Sequence, residues 1–289
     1  MFLRIIHLTR YEYSQRVTFA PHAVYLRPRE TPRQLLHRFE LTLSPMTSSR
    51  VATTDAEGNS LEWIYFAGET ESNVLEFRSE SIVETRDINP FDFYLRPSAT
   101  VFPFQYNDPE RYVLTPCLTP PVGSDQDELR SWLAAHLPKP PEETVPYLTA
   151  LNLAVHDALA YRVRFEPGIQ TPAETLSLGS GSCRDYAVLF IALCRLQGLA
   201  ARFVSGYLFE PPTSEIPNPV PPEMHAWAEV YLPGAGWRGI DPSRGIFCDD
   251  RWVQIAHSAI AESVNPVHGT FFGAGVRATL ITKLTLDRS

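Results

Sequence analysis

Residues 179–198 decide the fold, and they read GSGSCRDYAVLFIALCRLQG. Two glycines near the start of this stretch allow the chain to turn tightly. From position 187 onward the residues are apolar on nearly every side, and a glycine closes the run. Such a pattern is typical of a helix buried at the centre of a domain. The sequence therefore predicts a central buried helix from Cys183 to about Gln197.

A cysteine stands in the first turn of this predicted helix. The first turn presents free backbone N–H groups and a partial positive charge, which stabilise a thiolate and can hold an oxyanion during acyl transfer. Cys183 is therefore a candidate nucleophile, although a buried structural role is the commoner one for cysteine. Cys194, within the apolar run, fits that structural role. Asp185 is expected to stabilise the helix through its dipole.

A histidine and an aspartate follow at positions that a hairpin brings together. His225 begins the alternating run HAWAEVYL (225–232), and Asp241 ends the run WRGID (237–241). Alternation predicts strands, and the turn residues PGAG between the runs predict a hairpin. Asp241 then returns to within one or two residue pairs of His225. An aspartate beside a histidine selects its tautomer and stabilises the imidazolium, as a cysteine nucleophile requires.

Three sequence blocks carry a resemblance to a known family. They are GSGSCRDYA (179–187), HAWAEVY (225–231) and GWRGIDPS (236–243). Together they resemble the three signature blocks of the transglutaminase-like superfamily, and the best match is to its bacterial branch, often described as cysteine proteases. The opening LTRYEYS (8–14) and the β-rich region after it are similar to the N-terminal β domain of that branch.

The resemblance implies roles for three residues. Cys183 would be the nucleophile, His225 the general base and acid, and Asp241 the residue that orients the histidine. It also implies a papain-like core, in which a helix bearing the cysteine packs against an antiparallel sheet bearing the other two. The sequence departs from the family pattern at SRG (243–245), where TNG is more usual, and in a long Pro-rich insertion at 210–223. These departures bear on the choice of substrate.

The rest of the chain divides at its Pro-rich stretches. Residues 1–95 alternate like strands and contain the turn DAEGNS (55–60) of a hairpin, so we expect an all-β, sandwich-like domain. Residues 96–123 are rich in proline and aromatic residues and predict an ordered connection. Residues 124–289 should form the transglutaminase-like catalytic core, which makes the fold class α+β.

Helices precede strands within the predicted core. Helices are expected from Ser124 to about Leu137 and from near Glu142 to Tyr161, because each segment carries an inward apolar stripe. The Pro-rich insertion cannot form regular structure. Strands are expected at 201–209, 225–232, 237–241, 251–257 and 276–286.

Composition argues against several classes of partner. The chain has 289 residues with 25 Lys+Arg and 33 Asp+Glu, a net charge of −8. Such a balance argues against nucleic acid and against an anionic membrane surface as partners. No apolar run approaches the ~20 residues of a membrane-spanning helix, and the N-terminus lacks the apolar stretch of a signal peptide. We therefore expect a cytoplasmic protein.

Cysteine usage and acidic clusters do not suggest a metal site. The chain has no CxxC pair, so neither a disulfide framework nor a cysteine-based zinc site is expected. The segment from Cys248 to Asp250, with His257 and His225, lacks the spacing of a metal site. We expect no metal and no cofactor. The four cysteines are Cys117, Cys183, Cys194 and Cys248.

These observations favour an enzyme that transfers acyl groups through a thiol. We expect a cysteine peptidase or amidase that acts on peptide or carboxamide bonds of a peptide or protein substrate. A protein-glutamine transamidase is one alternative, because a primary amine can replace water as the acyl acceptor. A non-catalytic scaffold or binding protein is the other, although a scaffold has no need of all three residues. The sequence does not indicate the oligomeric state.

Overall fold

The computed structural model describes residues 1–288 except residues 69, 87, 123, 165, 167 and 212–221. Its first part consists of strands, and the two longest, Phe2–Phe19 and Ser72–Thr85, alternate between buried and more exposed residues over most of their length, as the sequence predicts. These strands are β1 (Phe2–Phe19), β2 (His22–Val24), β3 (Gln34–Ser44), β4 (Ser49–Thr54), β5 (Ser60–Tyr65) and β6 (Ser72–Thr85).

The N-terminal strands form two antiparallel sheets that enclose one core. One sheet has the order β3–β6–β1, and the other has the order β4–β5–β2. The turn at 55–60 joins β4 to β5 in the predicted hairpin. The sandwich-like β domain is therefore confirmed. Side chains from both sheets meet in its core, among them Val17, Val24, Leu41, Ile64, Leu75 and Phe77.

Five α-helices follow within the described residues. They are α1 (Asp108–Leu118), α2 (Ser124–His136), α3 (Thr144–Ala158), α4 (Pro172–Leu178) and α5 (Cys183–Leu196). The second, third and fifth occupy the three predicted positions, and α5 is the buried central helix. The first and fourth were not predicted, and α1 lies inside the predicted connection 96–123.

A short strand replaces the predicted end of α3. The sequence predicts helix to Tyr161, but α3 ends at Ala158, and β7 (Ala160–Tyr161) pairs in parallel with β8 (Ser180–Gly181). The hydroxyl of Tyr186 donates to the carbonyl oxygen of Leu159 at 2.7 Å, which fixes the chain between the helix and the strand. This tertiary contact overrides the helical pattern of the segment.

An antiparallel sheet lies against α5. Its strands are β9 (Ala201–Leu208), β10 (Met224–Leu232), β11 (Gly236–Asp241), β12 (Ile246–Phe247) and β13 (Trp252–Ser258), in the order β12–β11–β10–β9–β13. Ala226, Ala228 and Val230 of β10 share one buried cluster with α5. The α+β class with a helix packed on an antiparallel sheet is confirmed.

The end of the chain returns to the β domain. Strands β14 (Val267–His268) and β15 (Phe271–Phe272) pair with β2 and with the end of β1. Strand β16 (Ala278–Arg288) runs antiparallel to the first half of β1, with Arg288 opposite Leu3. The last strands of the predicted segment 124–289 therefore extend the N-terminal sheets and do not join the core sheet. No helix among the described residues combines the length and apolarity that a membrane span requires.

Asn59, in the turn between β4 and β5, connects the β domain to the core sheet. Its Nδ2 donates to the carbonyl oxygen of His257 at 2.8 Å, and the N–H of His257 donates to its Oδ1 at 2.9 Å. The side chain is fully buried. Because removal of a buried partner leaves backbone groups unsatisfied, this amide couples the two parts of the molecule.

We expect Asn59→Ala to lower the free energy of unfolding by about 1–3 kcal/mol. The loss arises because the N–H and C=O of His257 remain buried without their partner. Urea unfolding followed by circular dichroism measures it. Asn73→Ala, an exposed position, is the control, and equal stability of the two variants would contradict the coupling.

Candidate active site

The turn before α5 brings the chain tightly into the helix. Gly179 has φ of +57° and ends α4 in the left-handed region, which suits glycine. A Cβ added at Gly181 would lie 2.7 Å from the Cβ of Asp185, so no larger residue fits there without displacement. The backbone conformation of Gly179 and the missing side chain of Gly181 thus determine how the chain enters α5 at Cys183.

Cys183 is the first residue of α5, and its side chain is held at the helix start. Ser182 is the N-cap, and its N–H and Oγ–H each donate to Oδ2 of Asp185 at 2.8 Å. These two hydrogen bonds join Ser182, the residue before the cysteine, to Asp185 and so stabilise the first turn of the helix. Cys183 is only 8 % exposed, so its chemistry is set by the groups packed around it.

The Asp185 carboxylate is fully paired by neighbouring groups. Its Oδ1 accepts from Nη1 of Arg164 at 2.7 Å and from the N–H of Gln170 at 2.8 Å. Burial alone raises the pKa of Asp185, but Arg164 and the backbone N–H groups outweigh burial and lower the pKa. Asp185 therefore connects Arg164 and Gln170 to the start of α5. The positive charge of Arg164 balances the negative charge of Asp185 near the thiol.

His225 and Asp241 meet across the predicted hairpin. In the register of β10 and β11, Ala228 lies opposite Ile240, which brings Asp241 within two residues of His225 along the sheet. Nε2 of His225 donates to Oδ2 of Asp241 at 2.6 Å. The histidine is 8 % exposed and the aspartate fully buried, so their attraction is little screened by water.

Two side chains that sequence reasoning missed hold the aspartate. Nε1 of Trp252 donates to Oδ2 at 3.1 Å, and Oγ–H of Ser243 donates to Oδ1 at 2.7 Å. Burial raises the pKa of Asp241, but His225, Ser243 and Trp252 outweigh burial and lower the pKa. Ser243 follows the aspartate by two residues, a spacing typical of an Asx turn, whereas no sequence signal pointed to Trp252.

The thiol of Cys183 and the ring of His225 interact, and each shifts the pKa of the other. Because Nε2 already binds Asp241, Nδ1 is the ring nitrogen that remains for the sulfur. Burial raises the pKa of Cys183, but His225 and the N–H of Ala226 outweigh burial and lower the thiol pKa. Burial likewise lowers the pKa of His225, but Asp241 and Cys183 raise it well above its ordinary value.

These opposite shifts favour an ion pair near neutral pH. They favour a proton on the imidazole of His225 and a thiolate at Cys183. A thiolate is the nucleophilic form of cysteine, and an imidazolium can deliver a proton to a leaving group. The arrangement can therefore attack a carbonyl carbon and protonate the departing atom from a single cluster of three side chains.

Tyr161 is a second neighbour of the sulfur that sequence reasoning missed. Burial, followed by the charge of the nearby Cys183, raises the pKa of Tyr161. The residue lies in β7, opposite Gly181 of β8. Helical periodicity assigned this tyrosine to α3, so nothing in the sequence placed it beside the cysteine loop.

The other cysteines are not placed for the same chemistry. All three are buried, and none forms a disulfide bond with another described residue. Burial raises the pKa of Cys117 and of Cys194, so these thiols stay protonated. Among the described residues no group of three His, Cys, Asp or Glu side chains is arranged to hold a metal ion.

The Pro-rich insertion begins near the site. Most of the segment 210–223, and with it the question of whether the insertion covers Cys183, lies outside the described residues. Its first residue is described, and Oε1 of Glu210 lies 2.7 Å from Nη2 of Arg244. This ion pair joins the beginning of the insertion to the turn that follows Asp241.

Comparisons with known proteins agree with this architecture. A family model of the transglutaminase-like superfamily matches residues 133–242, and a model of the bacterial transglutaminase-like N-terminal region matches residues 3–84. A crystal structure from Cytophaga hutchinsonii, described as a "putative cysteine protease", is similar with a TM-score of 0.72 and 18 % identity, over 100 % of this chain and 91 % of that one.

Relatives with similar sequences occur in mycobacteria. An uncharacterized protein of Mycobacterium bovis is 30 % identical over 93 % of this chain and 87 % of its own length. One from Mycobacterium leprae is 24 % identical over 94 % of each chain. With family matches in both the β domain and the core, and a relative aligned over nearly its whole length, the chain belongs to the transglutaminase-like superfamily.

Proposed function

We propose that the protein is a cysteine peptidase or amidase, which cleaves peptide or carboxamide bonds through Cys183, His225 and Asp241. One observation carries this proposal. The ring of His225 donates to Asp241 at 2.6 Å, and the same buried ring interacts with the thiol of Cys183. That is the arrangement which an activated cysteine nucleophile requires.

The proposed reaction begins with attack of the Cys183 thiolate on the carbonyl carbon of the substrate. The carbonyl electrons move to oxygen, and the N–H of Cys183 at the helix start donates to the oxyanion. His225 then gives its proton to the leaving amine, the C–N bond breaks, and a thioester remains. Asp241 stabilises the imidazolium before this transfer and keeps the ring oriented.

The second half of the reaction depends on the acyl acceptor. Water, deprotonated by His225, would yield an acid and complete a hydrolysis. A primary amine would yield a new amide and make the protein a transamidase. A peptide or protein is the substrate in both cases, and the two outcomes differ only in the product that leaves the thioester.

Trapping of the acyl-enzyme tests the proposal and separates the two acceptors. We expect a peptide library to form a thioester on Cys183, which mass spectrometry of the digested protein locates. Product analysis with and without added cadaverine then shows either an acid in both samples or an amide of cadaverine. Cys183→Ala is the control. A wild-type protein that forms neither a thioester nor a product would leave only the scaffold alternative.

A further inference from the structure

Two amide side chains of the β domain hold strand β13, the last strand of the core sheet. Nε2 of Gln34, at the start of β3, donates to the carbonyl oxygen of Gln254 at 2.8 Å, and its Oε1 accepts from the N–H of Gln254 at 2.8 Å. Asn59 pairs with the N–H and C=O of His257 in the same way. Both amides are buried. They bond to the edge of β13 that β9 leaves open, as a neighbouring strand would.

Gln34 acts where the pairing of β13 with β9 is interrupted. The register between the two strands shifts between Gln254 and Ala256, and such an irregularity disrupts the ladder locally. The carbonyl oxygen of Gln254 also accepts from the N–H of Arg29 at 3.0 Å, whereas the N–H of Gln254 donates to Gln34. The β domain therefore fixes the backbone of β13 at a point where β9 fixes it less.

Trp252, two residues before Gln254, reaches from β13 to the aspartate of the candidate site. Strands β9 and β10 lie between β13 and β11 in the sheet, yet Nε1 of Trp252 donates to Oδ2 of Asp241 at 3.1 Å. Both side chains are buried. Because the same Oδ2 accepts from His225, a displacement of the indole would move the acceptor that orients the imidazole.

We propose that Gln34 is a positioning residue for acyl transfer, because by fixing β13 it keeps Trp252 in contact with Asp241. The inference rests on the proposed function and gives the β domain a part in catalysis. Gln34 touches neither the substrate nor the reacting atoms. It acts through the indole, which holds Oδ2 beside His225, while Ser243 holds the other carboxylate oxygen.

A double-mutant cycle tests whether the two residues act in sequence. Trp252→Phe removes the indole donor and keeps an aromatic ring, whereas Gln34→Leu removes the hydrogen bonds to Gln254 and Arg29. With p-nitrophenyl acetate as the acyl donor, we expect each variant to lower kcat about tenfold. The double variant should also lose about tenfold, since loss of the indole leaves Gln34 nothing to position; independent effects would multiply to about 100-fold.

The pH profile of alkylation separates positioning from a loss of stability. In these three variants we expect iodoacetamide to alkylate Cys183 about tenfold more slowly at pH 6 and at nearly the wild-type rate at about pH 9, because a misplaced aspartate favours the imidazolium less. Asn59→Ala removes the other amide that holds β13 and is the matched control, with wild-type kcat and profile. Thermal unfolding shows which variants are folded, and Gln34→Met replaces Gln34→Leu if the latter is not.

The remaining outcomes decide against the role in different ways. If the two losses multiply in the double variant, or if Asn59→Ala lowers kcat equally, Gln34 does not act through Trp252 and the positioning role is wrong. If the Gln34 variant keeps the wild-type kcat and profile, the role is wrong as well, while the proposed function stands. If wild-type Cys183 is not acetylated at all, the proposed function is overturned, and this role with it.

Discussion

His225→Ala is expected to slow the alkylation of Cys183 by iodoacetamide about 100-fold at pH 6. In the wild type the imidazolium holds the thiol pKa below its ordinary value, so the thiolate persists in mildly acidic solution. In the variant no imidazolium opposes the effect of burial, so burial raises the pKa of the Cys183 thiol. The rate in the variant should then increase about tenfold per pH unit between pH 6 and 8, whereas the wild-type rate should be nearly flat.

Peptide mapping by mass spectrometry follows all four cysteines in one experiment. The other three thiols are buried, as Cys183 is, but burial raises the pKa of Cys117 and of Cys194, so these two should react slowly in both proteins. His136→Ala, an exposed position on α2, should retain the wild-type profile. Equal and slow alkylation of the four thiols in the wild type would mean that no activated cysteine exists, and the enzyme proposal would fail.

Asp241→Asn is expected to lower kcat for acyl transfer by about 10³- to 10⁴-fold. The amide nearly preserves the size of the side chain but removes the charge that raises the pKa of His225. The imidazolium is then less favoured, and the pKa of Cys183 rises with it. Turnover of the peptide identified by thioester trapping measures the effect, and thermal unfolding shows that the variant is folded.

A graded comparison separates the charge of Asp241 from its position. Ser243→Ala removes the 2.7 Å bond to Oδ1 but leaves the carboxylate ionised, so a loss of only about tenfold is expected. Asp127→Asn, on α2 with its side chain 85 % exposed, should have wild-type activity. If Asp241→Asn retained more activity than Ser243→Ala, the aspartate would not act through its charge.

The pH dependence of stability follows from the same pair. The pKa of His225 is raised on folding, so its contribution is complete below the unfolded value of about 6.5 and is lost as the pH rises through the folded pKa. The pKa of Asp241 is lowered, so its contribution is complete above about 3.9 and is lost in acid. The pair should therefore stabilise the protein most between about pH 4 and 6.5.

Strong local patterns made most of the fold predictable. The apolar run after Cys183, the alternation of β10 and the turn residues between β10 and β11 each specify one element, and tertiary contacts agree with them. The unpredicted helices α1 and α4 also carry a local signal. Capping boxes join Asn107 to Glu110 and Thr171 to Glu174, and prolines nearby obscured these helix starts.

The candidate site was only partly predictable, because sequence motifs identify the proposed reacting residues better than the residues that surround them. Cys183, His225 and Asp241 lie on one helix and two strands that local sequence patterns predict. Trp252 and Tyr161 reach the site from β13 and β7, whose positions depend on strand pairing that no local pattern records. Such non-local contacts can be identified only once the sheet order is known.

The pairing of β16 with β1 has a consequence for biosynthesis. Strand β1 is made long before β16, its partner over Leu3 to Tyr13. Until then the nascent chain exposes an open hydrogen-bonding edge, which is a template for intermolecular association. A truncation that removes β16 would therefore expose an edge of the N-terminal sheet, far from the deletion along the sequence.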